Sequence, residues 1–324
     1  MSDAIWVTWE NQRRNRALAS SLEVELYEWS DLAAAARPRR YLAPAWRTWR
    51  LLRRRRPRVV ICQNPSLVLA LLVLALRGVF GYKAVVDAHN AGLLPLEGRS
   101  WWLNRLSRLI QRGADLTLVT NETLARLVEG NGGRAFVLPD PIPTFRLTPA
   151  CRPAGPSRIV VVCTYAEDEP YRAVFSAAGL LPPDVQVQVT GNFARAGIDP
   201  SSVPPNVRLT GYLPEEAYVR LLADSDAVVD LTSRSDCLVC GAYEGIAAGT
   251  PLVLSDTEVN RAYFSKGVVY TGHEPEAIAH AISEALASAP SLRAAIAALE
   301  RELRRDWESR RRRLLDELDQ LGAS

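Results

Sequence analysis

Short apolar runs rich in Val and Ile recur along the chain and alternate with stretches of helical pattern. This alternation indicates parallel sheets, because parallel strands need a long crossover, usually a helix, between them. The predicted strands are residues 5–7, 59–61, 84–86, 116–119, 135–138, 158–162, 185–189, 207–209, 227–231, 252–254 and 268–270. The chain is therefore expected to have an α/β fold with Rossmann-like sheets.

The chain is long enough for two hydrophobic cores, with 324 residues. Pro and Gly concentrate between the fifth and sixth predicted strands, in residues 139–143 and 148–157. Such a stretch is typical of a linker. We therefore predict a first domain over residues 1–148, a second over residues 149–305 and a final helix within residues 306–324.

Residues 230–256 predict a strand, a loop, a helix and a further strand. The helix is expected over residues 238–248, because Gly249 suits a left-handed cap and Pro251 cannot continue the turn. Asp236 lies on the loop and Glu244 on the helix. A carboxylate can accept two hydroxyl hydrogen bonds from a sugar, and a helix N-terminus suits a diphosphate. We interpret this stretch as a sugar-nucleotide site.

The same stretch resembles the E-x7-E region of the retaining glycosyltransferases of family 4. Asp236 stands in place of the first Glu, Glu244 matches the second, and the Gly249-Thr250-Pro251 turn also matches. The resemblance implies a GT-B fold, in which two Rossmann-like domains face each other across a cleft and the C-terminal helix crosses back to the first domain. It also implies that Asp236 faces the donor sugar and Glu244 the nucleotide ribose.

One loop departs from the family pattern. Family 4 enzymes usually place an Arg and a Lys after the first strand of the second domain, whereas residues 164–171 here are acidic and Arg172 follows them. Arg172 or Arg234 could replace that pair; alternatively, the diphosphate could bind Gly191 and amides near residues 237–241. The predicted donor-binding residues are Glu244, Arg172, Arg234, Gly191, Asn192, Cys237 and Leu238, with Asp236 as a catalytic residue.

Polar residues also follow the strands of the first domain. His89 comes directly after a predicted strand, so it should emerge at the carboxyl end and face the cleft. We predict that His89 is catalytic, with a turn-capping role as the alternative. The predicted acceptor-binding residues are Glu10, Arg13, Arg14, Asn64 and Asn90. These segments resemble the acceptor domain of bacterial glycosyltransferases that build surface polysaccharides or glycolipids.

The two halves of the chain differ in charge. Residues 1–150 contain 22 Lys and Arg against 12 Asp and Glu, whereas acidic residues predominate in the remainder. Residues 46–56 combine two tryptophans with a run of arginines, the composition of a helix on an anionic membrane surface; a solvated helix end is the alternative. No nucleic acid is expected, because the aromatic and glycine patterns of RNA-binding modules are missing.

Other apolar features receive structural interpretations. The run 67–76 is too short to cross a bilayer, so a buried core helix is expected. Trp101 and Trp102 are expected to pack in a core, with a second membrane-interface contact as the alternative. Five cysteines without repeated spacing argue against a disulfide framework, and Cys237 and Cys240 are expected to be buried helix residues rather than zinc ligands. The N-terminus lacks a signal-peptide pattern, so a cytoplasmic location, in part on the inner face of the plasma membrane, is expected.

Together these features predict a glycosyltransferase that moves a sugar from a nucleotide-diphosphate sugar of the UDP or GDP type to a lipid- or glycan-linked hydroxyl. We expect no cofactor and no metal site, because no D-x-D-like motif with sheet context appears. Retention of configuration is implied by the family resemblance. The alternatives are a non-catalytic GT-B subunit that partners an active transferase and a sugar-nucleotide 2-epimerase.

Overall fold

The computed structural model describes residues 3–30, 37–64, 66–145 and 155–323. These residues divide into unit 1, which comprises Met1–Pro141 and Asp306–Ser324, and unit 2, which comprises Ile142–Arg305. The predicted domain boundary after residue 148, together with Cys151, lies outside the described residues.

Unit 1 contains a six-stranded sheet in the order β2-β1-β3-β4-β5-β6, with every neighbouring pair parallel. Its strands are β1 (Ala4–Thr8), β2 (Glu25–Glu28), β3 (Val59–Asn64), β4 (Lys83–Ala88), β5 (Leu116–Val119) and β6 (Ala135–Val137). Its helices are α1 (Arg13–Ser21), α2 (Arg37–Arg55), α3 (Leu67–Phe80), α4 (Asn90–Leu93), α5 (Trp101–Gly113) and α6 (Glu122–Gly130). All five strands predicted for this region are present, and β2 is additional.

Unit 2 contains a second parallel six-stranded sheet, in the order β12-β11-β10-β7-β8-β9. Its strands are β7 (Ser157–Val161), β8 (Val185–Thr190), β9 (Val207–Gly211), β10 (Ala227–Asp230), β11 (Leu252–Ser255) and β12 (Val268–Thr271). Its helices are α7 (Tyr171–Ala178), α8 (Glu215–Ala223), α9 (Cys240–Ala247), α10 (Glu258–Tyr263), α11 (Pro275–Ala287) and α12 (Ala289–Ala323), of which α12 continues into unit 1. All six strands predicted for this region are present.

Each sheet is buried on both faces. In unit 1, Ile5 and Val7 contribute to one core cluster, whereas Trp6 points to the other. In unit 2, Val160 and Val228 lie in one cluster, and Val161 and Val229 lie in another. Burial on both faces explains why these strands are continuous apolar runs rather than alternating patterns.

The last helix is longer than predicted. The prediction placed it near residues 307–321, but α12 begins at Ala289 and continues for 35 residues. Within unit 1, Leu314 and Leu318 are fully buried in a cluster with Leu18 and Leu118. The leucine stripe therefore anchors the end of α12 to unit 1.

Of two expectations about buried apolar segments, one is confirmed in the main and the other is wrong. Most of the run 67–76 on α3 lies in the core of unit 1 or packs against it, although Val68 is exposed. Trp101 and Trp102 stack on each other with ring centroids 4.3 Å apart, yet both are more than 60% exposed. They begin α5 on its outer face rather than packing in a core. Among the described residues, no helix is both long and apolar enough to cross a membrane.

Candidate functional site

The strand order places a crevice at one point in each sheet. In unit 2, β7 and β10 are neighbours, and the chain proceeds outward from them in opposite directions. In unit 1, β1 and β3 flank the equivalent point. Ligands of open α/β sheets bind outside the carboxyl ends of the strands at such reversals. The loops after β7 and β10, and those after β1 and β3, are therefore the places to look for a site.

The loop after β10 is attached to the sheet through Asp230. This carboxylate is buried, and it accepts a 2.7 Å hydrogen bond from the amide of Gly241 in the first turn of α9. A side chain at residue 241 would clash with this carboxylate and with Val162, so glycine permits the close approach. The sequence analysis proposed the amides near residue 241 for a diphosphate. In the structure the Gly241 amide is already hydrogen-bonded to Asp230.

Burial raises the pKa of Asp230 well above its ordinary value, although the Gly241 hydrogen bond opposes this shift. The negative charges of Glu169, Glu244 and Asp168 raise the pKa further. The four carboxyl groups, Asp230 included, come from three segments: the loop after β7, the end of β10 and α9. The fold therefore concentrates acidic groups at the β7/β10 crevice. Any anionic ligand that binds there needs a cation or many amides beside it.

The predicted pair of acidic residues lies beside this crevice. Asp236 is half-buried on the loop after β10, and Glu244 is half-buried within α9. The hydroxyl of Tyr218, on α8, donates a hydrogen bond to the Glu244 carboxylate. Helix α9 begins at Cys240, two residues later than predicted, which leaves Asp236 on a longer irregular segment. The phenol therefore orients the Glu244 carboxylate.

The loop after β7 is organised by its own carboxylate. Glu169 accepts hydrogen bonds from the amides of Thr164 and Ala166 at 2.8 and 3.0 Å, and from the hydroxyl of Thr164 at 2.9 Å. The thiol of Cys163 also donates to it. Backbone amides at this position could hold an anion. Here Glu169 supplies that anion from within the chain.

Two of the predicted phosphate-binding residues are cationic. Arg234 is half-buried and lies 3.4 Å from the carboxylate of Asp168, which also accepts a 2.8 Å hydrogen bond from Thr232. Arg172 is exposed on α7, with its guanidinium over the ring of Tyr171. Only Arg234 is therefore held within the crevice, through a carboxylate of the opposite loop.

Gly191 and Asn192 follow β8, the neighbour of β7. Gly191 has a φ of +93°, and a side chain there would clash with the carbonyl oxygen of Cys163, so this position requires glycine. Asn192 is exposed and accepts a hydrogen bond from the amide of Arg195. The glycine brings the β8 loop against the β7 loop.

The predicted burial of the two cysteines is wrong. Cys237 precedes α9 and is only half-buried, and Cys240 is exposed as the first residue of that helix. Burial raises the pKa of Cys237 to about 12, which disfavours its thiolate. Leu238, predicted to bind the donor, is buried in the core cluster beneath α9. Its backbone, rather than its side chain, is the part that could meet a ligand.

The crevice of unit 1 is built around a buried ion pair. Arg14, in the first turn of α1, contacts Asp87 at the end of β4 at 2.9 Å and Asp140 at 2.6 Å, and it donates to the carbonyl of Leu138. Burial disfavours the charged guanidinium, but the two carboxylates outweigh this effect and raise the pKa of Arg14. Arg14, predicted to bind the acceptor, thus links β4 to the segment after β6.

A polar network bridges β1 and β3 directly at the reversal point. The hydroxyl of Thr8 donates to the side-chain oxygen of Gln63 and accepts a 3.2 Å hydrogen bond from Asn15. Within the described part of the chain, Nε2 of Gln63, Oδ1 of Asn15 and Oδ1 of Asn64 are buried without a hydrogen-bond partner. Buried polar atoms without partners are costly, so these atoms suit a ligand with hydroxyl groups.

His89 lies beside this network. Its Nε2 is 3.7 Å from the buried carboxylate of Asp87, and its side chain is 27% exposed. Burial lowers the pKa of His89, an effect that Asp87 opposes, so the neutral imidazole predominates at neutral pH. His89 precedes α4, but its side chain forms no capping hydrogen bond, which disagrees with the turn-capping alternative.

The other predicted acceptor residues surround the same crevice. Asn64 ends β3 and is fully buried, with its carbonyl against Gly92. Asn90 begins α4 and is half-buried, whereas Glu10 is half-buried after β1 and accepts a hydrogen bond from Gln12. Arg13 is exposed at the start of α1. Sequence patterns therefore located the loops but did not single out Thr8, Asn15 and Asp140, because their contacts form only once the chain folds.

In the regions covered by the described residues, no three His, Cys, Asp or Glu side chains are arranged to hold a metal ion.

Two protein-family models match the chain in succession. A model described as a glycosyl transferase 4-like domain matches residues 4–141, and one described as glycosyl transferase-like matches residues 171–318. The first match ends where the first segment of unit 1 ends. No curated protein sequence matches the chain significantly. The two models together cover most of the chain, including the crevice of unit 1 and the β10 side of the crevice of unit 2.

Several solved structures are similar over almost the whole chain. Sucrose-phosphate synthase from Thermosynechococcus elongatus has a TM-score of 0.78 at 14% identity, covering 99% of each chain. HepE from Anabaena in complex with UDP has a TM-score of 0.73 at 12% identity, covering 98% of this chain and 100% of HepE. A putative UDP-N-acetylglucosamine 2-epimerase from Listeria monocytogenes has a TM-score of 0.60 at 11% identity, covering 91% of each chain. These similarities confirm the predicted GT-B fold.

Replacing Arg14 by Leu should destabilise unit 1 strongly, because it leaves the buried carboxylate of Asp87 without its cation. Breaking a buried ion pair from one side costs about 3–5 kcal/mol. Arg16→Leu on the same helix is the matched control, since Arg16 is exposed and pairs with Glu28 at the surface. Urea unfolding gives the free energy of unfolding of both variants. Equal effects of the two substitutions would contradict the role given to Arg14.

Replacing Asp230 by Asn should change how stability depends on pH. Because the folded-state pKa of Asp230 is raised, the folded protein binds more protons than the unfolded chain once the pH exceeds about 4. This group's contribution to stability is complete below the unfolded pKa and is lost as pH rises through the folded pKa. The stability of Asp230→Asn relative to the wild type should rise across that window, by up to about 1.4 kcal/mol per pH unit.

Urea unfolding between pH 4 and 8 tests this prediction, with the exposed Asp184→Asn as the control. Parallel stability curves for the wild type and Asp230→Asn would mean that the pKa of Asp230 is not raised.

Proposed function

We propose a donor, an acceptor and a location for this chain, which is a glycosyltransferase of the GT-B type. It transfers a hexose-type residue from a nucleotide-diphosphate sugar of the UDP or GDP class to a hydroxyl of a lipid- or glycan-linked acceptor. The transfer retains the anomeric configuration and requires neither metal nor cofactor. The enzyme works in the cytoplasm, at the surface of an anionic membrane.

The observation that carries the donor assignment is the position of Asp236 and Glu244 beside the β7/β10 crevice, within the segment that the glycosyl transferase-like model matches. Glu244 is oriented by Tyr218, which suits a carboxylate that accepts bonds from the two ribose hydroxyls. Asp236 precedes α9 on the loop and orients the donor sugar. Together, the two carboxylates contact both ends of the donor, the ribose and the sugar.

The departing diphosphate needs positive charge in a crevice rich in carboxylates. Arg234 is the cation that the crevice holds, and the carboxylate of Asp168 lies 3.4 Å from it. Exchange of this carboxylate for phosphate would preserve the charge balance around the guanidinium. Glu169 already occupies the amides of Thr164 and Ala166, so stabilisation of the leaving group falls mainly to Arg234, with the exposed Arg172 as a second contact.

The acceptor hydroxyl binds at the crevice of unit 1. The unpartnered polar atoms of Gln63, Asn15 and Asn64 provide hydrogen bonds for hydroxyl groups. His89 is neutral at neutral pH, so one of its ring nitrogens can accept a proton from a hydroxyl or a hydrogen bond from the sugar. Glu10, Arg13 and Asn90 lie on the surrounding loops and contact the acceptor.

A membrane-binding surface is formed by α2, α3 and α5. Helix α3 packs against both of the others, and none of the three contains an Asp or Glu. Their exposed residues combine apolar groups, including Trp46, Trp101 and Leu109, with Arg50 and Arg108. Nine of the eleven large apolar residues that are exposed among the described residues belong to unit 1. This composition favours an anionic lipid surface.

Replacing Glu244 by Gln should reduce kcat/KM by at least about tenfold, or about 1.4 kcal/mol, because the ribose loses a charged acceptor. Tyr218→Phe should have a smaller effect in the same direction, since it releases Glu244 without removing it. The control is Glu216→Gln, which is exposed on the same helix as Tyr218.

The measurement combines calorimetry and thermal shift with UDP-, GDP-, dTDP- and ADP-linked sugars, followed by transfer assays with the class that binds. Saturable binding of one class that Glu244→Gln weakens is the expected result. If no class binds, or if Glu244→Gln binds as tightly as the wild type, the donor site is wrongly placed.

The enzyme should co-sediment with vesicles that contain anionic phospholipid but not with neutral vesicles. Trp46→Ala and Trp101→Ala should each reduce this binding severalfold, and salt at about 0.5 M should weaken it by screening the arginines. Tyr212→Ala is the control, because Tyr212 is an exposed aromatic residue of unit 2. Equal losses for all three variants would show that the α2–α3–α5 surface is not the binding face.

A further inference from the structure

A cavity of about 420 Å³ lies within unit 1, among the helices of the α2–α3–α5 surface. Its wall is mainly apolar and is formed by Leu67, Val68 and Leu71 of α3, Leu103 and Leu106 of α5, and Trp9 after β1. This volume falls within the range of small-molecule sites, which are concave and lined largely by apolar side chains. Among the residues that line the cavity, the transfer chemistry described above uses Glu10.

The wall of this cavity is fixed by buried hydrogen bonds. The indole N–H of Trp9 donates to the hydroxyl of Thr48 at 3.1 Å, and that hydroxyl donates to the carbonyl of Pro44. Trp9 is thereby tied to α2 across the core of unit 1. Because Trp9 is already held in place, ligand binding does not lose the entropy of ordering this side chain, which favours affinity.

The polar groups of the wall are few, and two of them are already engaged. The hydroxyl of Ser66 accepts a hydrogen bond from the amide of Leu69 and so caps α3, and the indole N–H of Trp9 is bonded to Thr48. The charged residues of the wall are Arg40 and Glu10. Trp29 and Tyr41 also line the cavity. The five Leu and Val side chains of α3 and α5 offer no hydrogen-bond partner, so this part of the wall suits a hydrocarbon chain.

The cavity is connected to the acceptor crevice through the chain. Glu10 lines the cavity, and its backbone amide donates to the hydroxyl of Thr8 at 3.1 Å. The same hydroxyl donates to Gln63, one of the residues with an unpartnered polar atom at the β1/β3 reversal. A ligand that filled the cavity would therefore bring its head group toward the proposed acceptor site.

We infer that this cavity binds the hydrocarbon chain of the acceptor, so that the acceptor is a lipid with an anionic head group rather than a free glycan. The aliphatic side chains bind the hydrocarbon chain, and among the described lining residues Arg40 supplies a cation for a phosphate near the head. The cavity lies in the same three helices that face the proposed membrane surface, so a lipid could enter it from the bilayer. This inference narrows the proposed acceptor to one class, a lipid. It rests on the proposed transfer function.

Binding of hexyl, octyl and decyl phosphate, each below its micelle-forming concentration, tests the cavity directly. Titration is followed by calorimetry and by tryptophan fluorescence, because Trp9 lines the wall. Affinity should rise roughly fourfold per added methylene, while inorganic phosphate should not bind measurably. A dependence on chain length shows that the hydrocarbon is buried.

Two valines of α3 provide a matched pair of variants. Val68 lines the cavity and Val79 does not, and both side chains are exposed. Val68→Asp should weaken decyl phosphate binding at least tenfold, whereas Val79→Asp should leave it unchanged. Tyr41→Ala, on α2, is a second wall variant that should also weaken binding.

Affinities that do not depend on chain length, or equal losses in Val68→Asp and Val79→Asp, would overturn the inference, because either result indicates adsorption to the general surface. The outcome of the donor screen is independent of this test, since alkyl phosphate binding requires no nucleotide sugar. Chain-length-dependent binding without donor binding would preserve the cavity and refute the proposed transfer.

Discussion

Burial of both sheets on both faces is the constraint on which the rest of this structure depends. The central strands carry mainly apolar side chains, because a buried polar group there would need a partner. Polar chemistry is therefore concentrated at the carboxyl ends of the strands, where the chain leaves the sheet. Asp87 and Asn64 in unit 1 and Asp230 in unit 2 occupy such positions. The strand order then decides which of these ends lie together.

The two crevices solve the problem of buried charge differently. In unit 1, Arg14 pairs with both Asp87 and Asp140, and the amide and hydroxyl groups of the β1/β3 network are uncharged and suit hydroxyls. In unit 2, carboxylates surround Asp230, whose pKa is raised mainly by burial and further by these neighbouring charges. A nucleotide diphosphate adds further negative charge to this crevice. Arg234 is accordingly the residue on which the proposed leaving-group stabilisation most depends, and Asp168 fixes where its guanidinium lies.

The elements that could be predicted were those with a local signal. Eleven strands have apolar runs that identify them, whereas β2 was missed because it is a short edge strand, Glu25–Glu28, that pairs only with β1 and needs no continuous apolar face. Trp101 and Trp102 were expected in a core because large aromatic residues usually are buried there; their position on the outer face of α5 follows from the packing of Ile110 and Ser107 on the opposite face. Cys237 and Cys240 were misjudged because α9 begins later than its pattern indicates.

The sequence by itself determined the α/β class, the two sets of strands and the candidate pair Asp236 and Glu244, because hydrophobic periodicity and the Gly249–Pro251 helix stop are local properties of the chain. The family resemblance extended these features to a donor site. Only the tertiary structure decided that Glu169 occupies the amides of its own loop, that Tyr218 orients Glu244, and that Trp9 and α3 enclose a cavity with α5. Each of these contacts joins segments whose proximity depends on how the chain folds back on itself, and one sequence carries no signal for such proximity.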